Sequence, residues 1–203
     1  MIVIGLTGGI GTGKSEVARI LQELGAVVIN ADQVGHEAYQ PHCETWQEVV
    51  RAFGEDILQP DGEIDRKKLG GIVFSDPEQL ARLNRIMHPR MAKMVAEQIK
   101  RLGEQGTSVV VVEAAILFEA GWDTLVDEVW STDSSEELVI GRLQARNGLS
   151  GEEARRRIGA QMSASERRRR SDVVIDNSRD VDDLERAVQL LWNGRVKEKV
   201  GKV

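Results

Sequence analysis

Short apolar runs alternate along this chain with stretches whose apolar residues recur at helical spacing. The runs IVIGLT (2–7), AVVIN (26–30), SVVVVE (108–113), DEVWST (127–132) and DVVID (172–176) are rich in β-branched residues and too short for helices. After the first comes KSEVARILQEL (14–24), with Val17, Ile20, Leu21 and Leu24 on one helical face. Strand, loop and helix in alternation predict an α/β fold: a five-stranded parallel sheet with helices on both faces.

The interval between the second and third runs, residues 31–107, is far longer than one crossover helix requires, so it reads as an insertion. Its pattern is helical around 44–53 and 65–74. A long pair follows near 77–103, with His88 and Pro89 marking the break between its members, because proline disfavours helix in the residue before it. PDGE (60–63) is a turn signal. The chain shows no internal repeat.

Composition narrows the class. With 203 residues, 41% hydrophobic and 30% charged, the chain supports one ordinary globular domain with an insertion. Its longest apolar run, VVVV, is far short of a membrane span, and a cytoplasmic address is the expectation. Cys43, the single cysteine, reads as a bystander. The net charge of -6 is uneven: residues 142–170 hold nine arginines against three glutamates, a local +6, which leaves -12 on the rest. Such a balance disfavours general nucleic-acid binding and suits one compact polyanion such as a nucleotide.

The polyanion has an evident cradle. Gly8, Gly13, Lys14 and Ser15 satisfy G-x-x-x-x-G-K-[ST] between a predicted strand and a predicted helix. Glycines let successive backbone N–H groups curl around phosphate oxygens, and the stretch Gly8, Gly9, Gly11, Thr12, Gly13, Lys14, Ser15 and Glu16 is the expected ATP contact. Lys14 reaches the β- and γ-phosphates, and the Ser15 hydroxyl is the expected Mg²⁺ ligand. Glu16 contributes its backbone N–H, so its carboxylate has to point away.

A phosphate loop alone does not separate a GTPase, an ATPase motor and a small-molecule kinase. No N-K-x-D guanine reader is present, and the chain is short for a motor. Asp32 follows the second strand, at the strand ends where α/β sheets collect ligands. It is either a general base for an acceptor hydroxyl or the N-cap of the helix after it. Glu113, ending the third strand, either holds Mg²⁺ through water, faces the acceptor, or is a plain surface glutamate. Arg142 and Arg146 share a face of a predicted helix over 135–147, as a lid over ATP would need. The run Arg167 to Arg170 reads as a solvated helix face.

Taken together, the sequence resembles the dephospho-coenzyme A kinases almost end to end. The resemblance rests on GLTGGIGTGKS, the AD at 31–32, FGEDIL and DGEIDRKKL (53–69), VFSDPEQLARLNRIMHP (73–89), LFEAGW (117–122), RLQAR (142–146) and DVVIDN (172–177). It implies a P-loop NTPase fold with a core (about 1–31, 105–141 and 171–203), a helical insertion for the coenzyme A moiety (about 32–104) and an arginine-rich lid (about 142–170). It further implies ATP-dependent phosphorylation of the ribose 3'-hydroxyl of dephospho-CoA. Asp32 would be the catalytic base, Lys14 and Arg142 further catalytic groups, and Arg66, His88 and Glu113 acceptor contacts. Arg146 and Asn177 would lie on the ATP side. Expected partners are small molecules only, without nucleic acid or membrane, in a monomer or weak homo-oligomer. The sequence departs from the family pattern at Asn30, Glu16, Ala114–Leu117 and Val139. On the residues alone, another small-molecule P-loop kinase of nucleoside-monophosphate or shikimate type, or a nucleotide-dependent switch, stays open.

Overall fold

All five apolar runs form strands: β1 (Ile2–Gly8), β2 (Val27–Asn30), β3 (Val109–Glu113), β4 (Glu128–Asp133) and β5 (Val173–Asp176). A computed structural model describes residues 1–201 of the chain. The strands lie in the order β2-β3-β1-β4-β5, with β1 parallel to β3 and β4, and β4 parallel to β5. Every residue of β1 and β3 is buried, as expected for central strands covered on both faces.

The helices are α1 (Lys14–Glu23), α2 (Ala31–Ala38), α3 (Glu44–Phe53), α4 (Arg66–Val73), α5 (Pro77–Glu104), α6 (Glu136–Asn147), α7 (Gly151–Gly159), α8 (Ala164–Arg170), α9 (Val181–Leu191) and α10 (Lys197–Val200). No helix among the described residues is long and apolar enough to cross a membrane.

Residues pack into two compact units, one of 1–29 with 99–203 and the other of 30–98. In the first, Ile4, Leu6, Val111, Trp130 and Ile175 of the sheet meet Val17 and Leu21 of α1 and Leu184 and Val188 of α9. Burying each such side chain contributes about 1.5–3 kcal/mol. A smaller cluster joins Val139 and Leu143 of α6 to Ala154 of α7. In the second unit, Leu58 and Ile64 form an antiparallel bridge, the Asp65 amide donates to the Ile57 carbonyl at 2.7 Å, and Val49, Ile57 and Leu69 are buried.

Three expectations are corrected. The segment 77–103 is not a broken pair but the single helix α5, with Pro89 inside it. Met87, Met91 and Val95 recur every fourth residue on its buried face and carry it across the proline. Pro89 and Arg85 are exposed, so the carbonyl that loses its partner faces solvent. The C-terminal RVKEKVGKV (195–203), which on its sequence is expected to be a frayed, mildly basic helix end, is helical as far as Val200, and residues 202–203 lie outside the described residues. A π-helical turn (Trp192–Val196) leads into α10, Val196 is buried, and Arg195 and Lys199 both pair with Glu128 at the start of β4. Nor is the tetra-arginine run a uniformly solvated face, because Arg167 is buried while its three neighbours are exposed. The side of α8 that bears Arg167 packs towards the sheet core, a distinction that four identical letters conceal.

Candidate active site

Strand β1 delivers the glycine-rich loop to the carboxyl ends of the central strands, and α1 begins at Lys14 directly after it. Gly13 caps α1 in the left-handed region, with φ of 92° and no side-chain cap, which leaves the amides of Lys14 and Ser15 at the helix start available to an anion. The loop is closely braced. A β-carbon at Gly8 would lie 2.0 Å from the Thr132 hydroxyl. The Thr12 hydroxyl shares a hydrogen bond with that of Thr132 at 2.7 Å and lies 2.8 Å from the Gly9 carbonyl.

Parallel pairing sets Leu6 of β1 beside Glu113 of β3, which brings the Glu113 carboxylate level with the loop. Ser15 donates its hydroxyl proton to Glu113 Oε1 at 2.8 Å, and Lys14 Nζ lies 3.7 Å from the same oxygen. Glu113 is only 7% exposed, so it is not a plain surface residue. Hydroxyl and carboxylate oxygens suit a hard cation. No cluster of three or more His, Cys, Asp or Glu able to hold a metal occurs among the described residues. The donor set therefore fits a magnesium ion that takes most of its ligands from phosphate and water. The Glu16 carboxylate is turned to Arg19, which donates to it from Nε at 3.0 Å.

Arg142, on α6, is drawn to the loop. Its guanidinium donates to the carbonyls of Gly11 (3.3 Å) and Asn177 (2.8 Å) and to the Ser134 hydroxyl (3.2 Å). Asn177, just past β5, donates from Nδ2 to the Thr12 carbonyl at 2.9 Å. Both residues thus bind the loop's carbonyls, which keeps its N–H groups turned the other way. Arg146, one turn on, is exposed and donates to the Asn147 side chain. It is not brought to the loop.

Sequence reasoning missed two residues here. Gln161, between α7 and α8, accepts the Ile10 amide proton at 2.8 Å. A β-carbon at Gly9 would lie 3.4 Å from Arg167 Nη1, so the buried guanidinium rests over the loop's second glycine. Burial pushes the Arg167 pKa below the usual guanidinium range, against the pull of Glu119 and Asp133. A cavity of 790 Å³ opens here, lined by Gly9, Thr12, Ser134, Gln161, Arg167 and Ser178 among others. Neither residue carries a motif, and contact between residues about 150 positions apart leaves no local signal.

Within the second unit, Asp32 and Arg66 line one cavity of 430 Å³ with His36, Tyr39, Met87 and Met91. Asp65 caps α4 by accepting from the amides of Lys67 and Lys68, which fixes Arg66 as the first helical residue. Arg66 donates from Nε to the Tyr39 hydroxyl at 2.6 Å and contacts His36 Nε2. The cap of α2 is Asn30, whose side chain accepts from the Gln33 amide at 3.1 Å. Asp32 is therefore not the cap but an exposed carboxylate in the first turn. His88 is half-buried on α5 and does not line this cavity. Cys43 caps α3 by accepting from the Trp46 amide at 3.3 Å.

A sequence model of the family described as dephospho-CoA kinase matches residues 2–183. A dephospho-CoA kinase of Geobacter sulfurreducens is 47% identical over 195 residues, covering 96% of this chain and 99% of that protein. A crystal structure from Thermus thermophilus superposes with a TM-score of 0.80 at 35% identity, covering 96% and 97% of the two chains. The dephospho-CoA kinase from Campylobacter jejuni gives 0.74 at 27% identity, covering 97% and 98%.

Proposed function

The chain belongs to the dephospho-CoA kinase family, and from that premise we propose that it transfers the γ-phosphate of ATP to the ribose 3'-hydroxyl of dephospho-CoA, giving CoA and ADP. The observation that carries the reading is the joining of a braced phosphate loop to a family match spanning nearly the whole chain. The loop alone reaches only nucleotide binding.

In this reading the amides of Gly11, Gly13, Lys14 and Ser15 wrap the phosphate chain of ATP, and Lys14 neutralises charge on its β- and γ-groups. Ser15 and Glu113 would hold magnesium through their hydroxyl and carboxylate oxygens. The metal offsets negative charge on the phosphates when bound. Glu113 therefore works on the metal side and not on the acceptor, a reading supported by its 2.8 Å contact with Ser15. Arg142 and Asn177 act by holding the loop's carbonyls back. The lid role is thereby shifted from Arg142 and Arg146 to the segment carrying Gln161 and Arg167.

Asp32 accepts the proton of the 3'-hydroxyl as the oxygen attacks the γ-phosphorus. The new O–P bond forms, the bond to the β,γ-bridging oxygen breaks, and that oxygen leaves on ADP. Support comes from its exposure and from the capping of α2 by Asn30, which leaves the carboxylate no helix-capping duty. The cavity it shares with Arg66 offers a cation for the substrate's diphosphate over an apolar floor of Met87 and Met91. A cytoplasmic location accords with this metabolite chemistry.

The deciding experiment follows ADP release by the purified protein with ATP, magnesium and a panel of acceptor alcohols. Turnover that depends on dephospho-CoA, with CoA identified as product, is expected. Equal background rates for dephospho-CoA, nucleoside monophosphates and shikimate would overturn the reading.

A further inference from the structure

The segment joining α7 to α8 presses two side chains onto the phosphate loop at neighbouring positions. Gln161 Oε1 takes the amide proton of Ile10 at 2.8 Å, and Arg167 Nη1 lies over Gly9. Arg167 is 5% exposed, yet its guanidinium makes one hydrogen bond among the described residues, from Nη2 to the Met162 carbonyl at 3.0 Å. Asp133 is already paired with Arg168 at 3.2 Å. A buried guanidinium with five donors is normally saturated by carboxylates or carbonyls. This one faces a cavity whose wall is the loop itself. The Ile10 amide, a donor of the loop's own backbone, is satisfied by a neutral oxygen from the same segment.

We infer that Arg167 is the cation that meets the terminal phosphate of ATP, and that Gln161 is a positioning residue that seats the lid segment on the loop through the Ile10 amide. Gly9 lies near the start of the loop and Lys14 at its end, so the Arg167 guanidinium, facing the cavity over Gly9, adds a second cation to the terminal phosphate that Lys14 shares with the β-group. Arg167 then tells ATP from ADP. The inference rests on ATP being the nucleotide of the proposed function, but not on the identity of the acceptor.

The test is calorimetric titration of the full chain with ATP and with ADP, both with magnesium and without acceptor. Arg167→Met should weaken ATP binding by about tenfold to a hundredfold, the loss of one charge-assisted contact, and change ADP binding by less than about threefold. Arg167→Lys should recover part of the ATP affinity. Gln161→Leu, at a half-buried position, supplies a variant that leaves the buried charge in place. It should lower the preference for ATP in the same direction by about threefold to tenfold. Equal weakening of both nucleotides, or no change in either, in the Arg167 variants or in Gln161→Leu should Arg167→Met not fold, would overturn the inference. Wild-type protein that binds ATP through Arg167 yet ignores dephospho-CoA would sink the proposed function and leave this inference standing.

Discussion

Ser15 donates a hydrogen bond from its hydroxyl to Glu113 across 2.8 Å, although 98 residues separate them in sequence. In the proposed reading these two oxygens would hold the cation that accompanies ATP. Glu113→Gln retains an acceptor for Ser15 but removes the charge that draws the cation. Rates measured against magnesium concentration should show half-saturation raised about tenfold or more. Binding of metal-free ATP should stay the same or tighten, since a negative charge beside Lys14 is lost.

Asn30 caps α2, which leaves to Asp32 the proposed role of base. Asp32→Asn should lower kcat by about a hundredfold to ten-thousandfold with ATP affinity and melting temperature unchanged. Asn30→Ala should do the reverse. Loss of the Gln33 amide's acceptor removes about 1 kcal/mol and about 2–4 °C from the melt of a chain this size. If Asp32→Asn melts early instead, its carboxylate serves the helix.

Gly13 has no room for a side chain. Its φ is 92°, and a β-carbon would come within 2.0 Å of Asn177 Nδ2. Gly13→Ala must therefore shift the loop or eject Asn177 from the Thr12 carbonyl. ATP binding, read by calorimetry, should fall about tenfold to a hundredfold.

Glu128 is 4% exposed at the start of β4. Burial opposes its ionisation, but hydrogen bonds from Lys199, Trp130 and Arg195 outweigh burial and hold its pKa at about 2, below the usual 4.5. Because the folded value is depressed, the stabilisation is full above the unfolded pKa and disappears as pH falls from 4.5 to 2. Thermal melts over that range should lose about 2 kcal/mol through this group, with the exposed Lys199 and Arg195 screened by water. Glu128→Gln should flatten the decline.

How much of this was legible follows from where each signal resides. The loop was readable because its chemistry is that of the backbone, and a backbone that must wrap phosphate demands glycine at fixed spacing. The strands were readable because central strands are apolar at every position, as Val109 to Val112 are. Asn30 was read only as a departure from a family pattern, and its capping role emerged from geometry. Pro89 misled, since a local rule about the residue before proline ignores the buried Met87–Met91–Val95 stripe that spans it. Arg167 was hidden among identical neighbours, and which of four arginines turns inward depends on how α8 lies on the sheet. Gln161 had no signal at all, because its role exists only through Ile10.

The bond from Asn177 to the Thr12 carbonyl spans 165 positions. The ribosome makes the glycine-rich loop some 165 residues before it makes this brace. A nascent kinase therefore carries its most conspicuous motif for much of its synthesis without a finished place to put a nucleotide. Competence for ATP arrives late, when β5 slots in beside β4, so a polypeptide released early is born without the loop's full grip on its ligand.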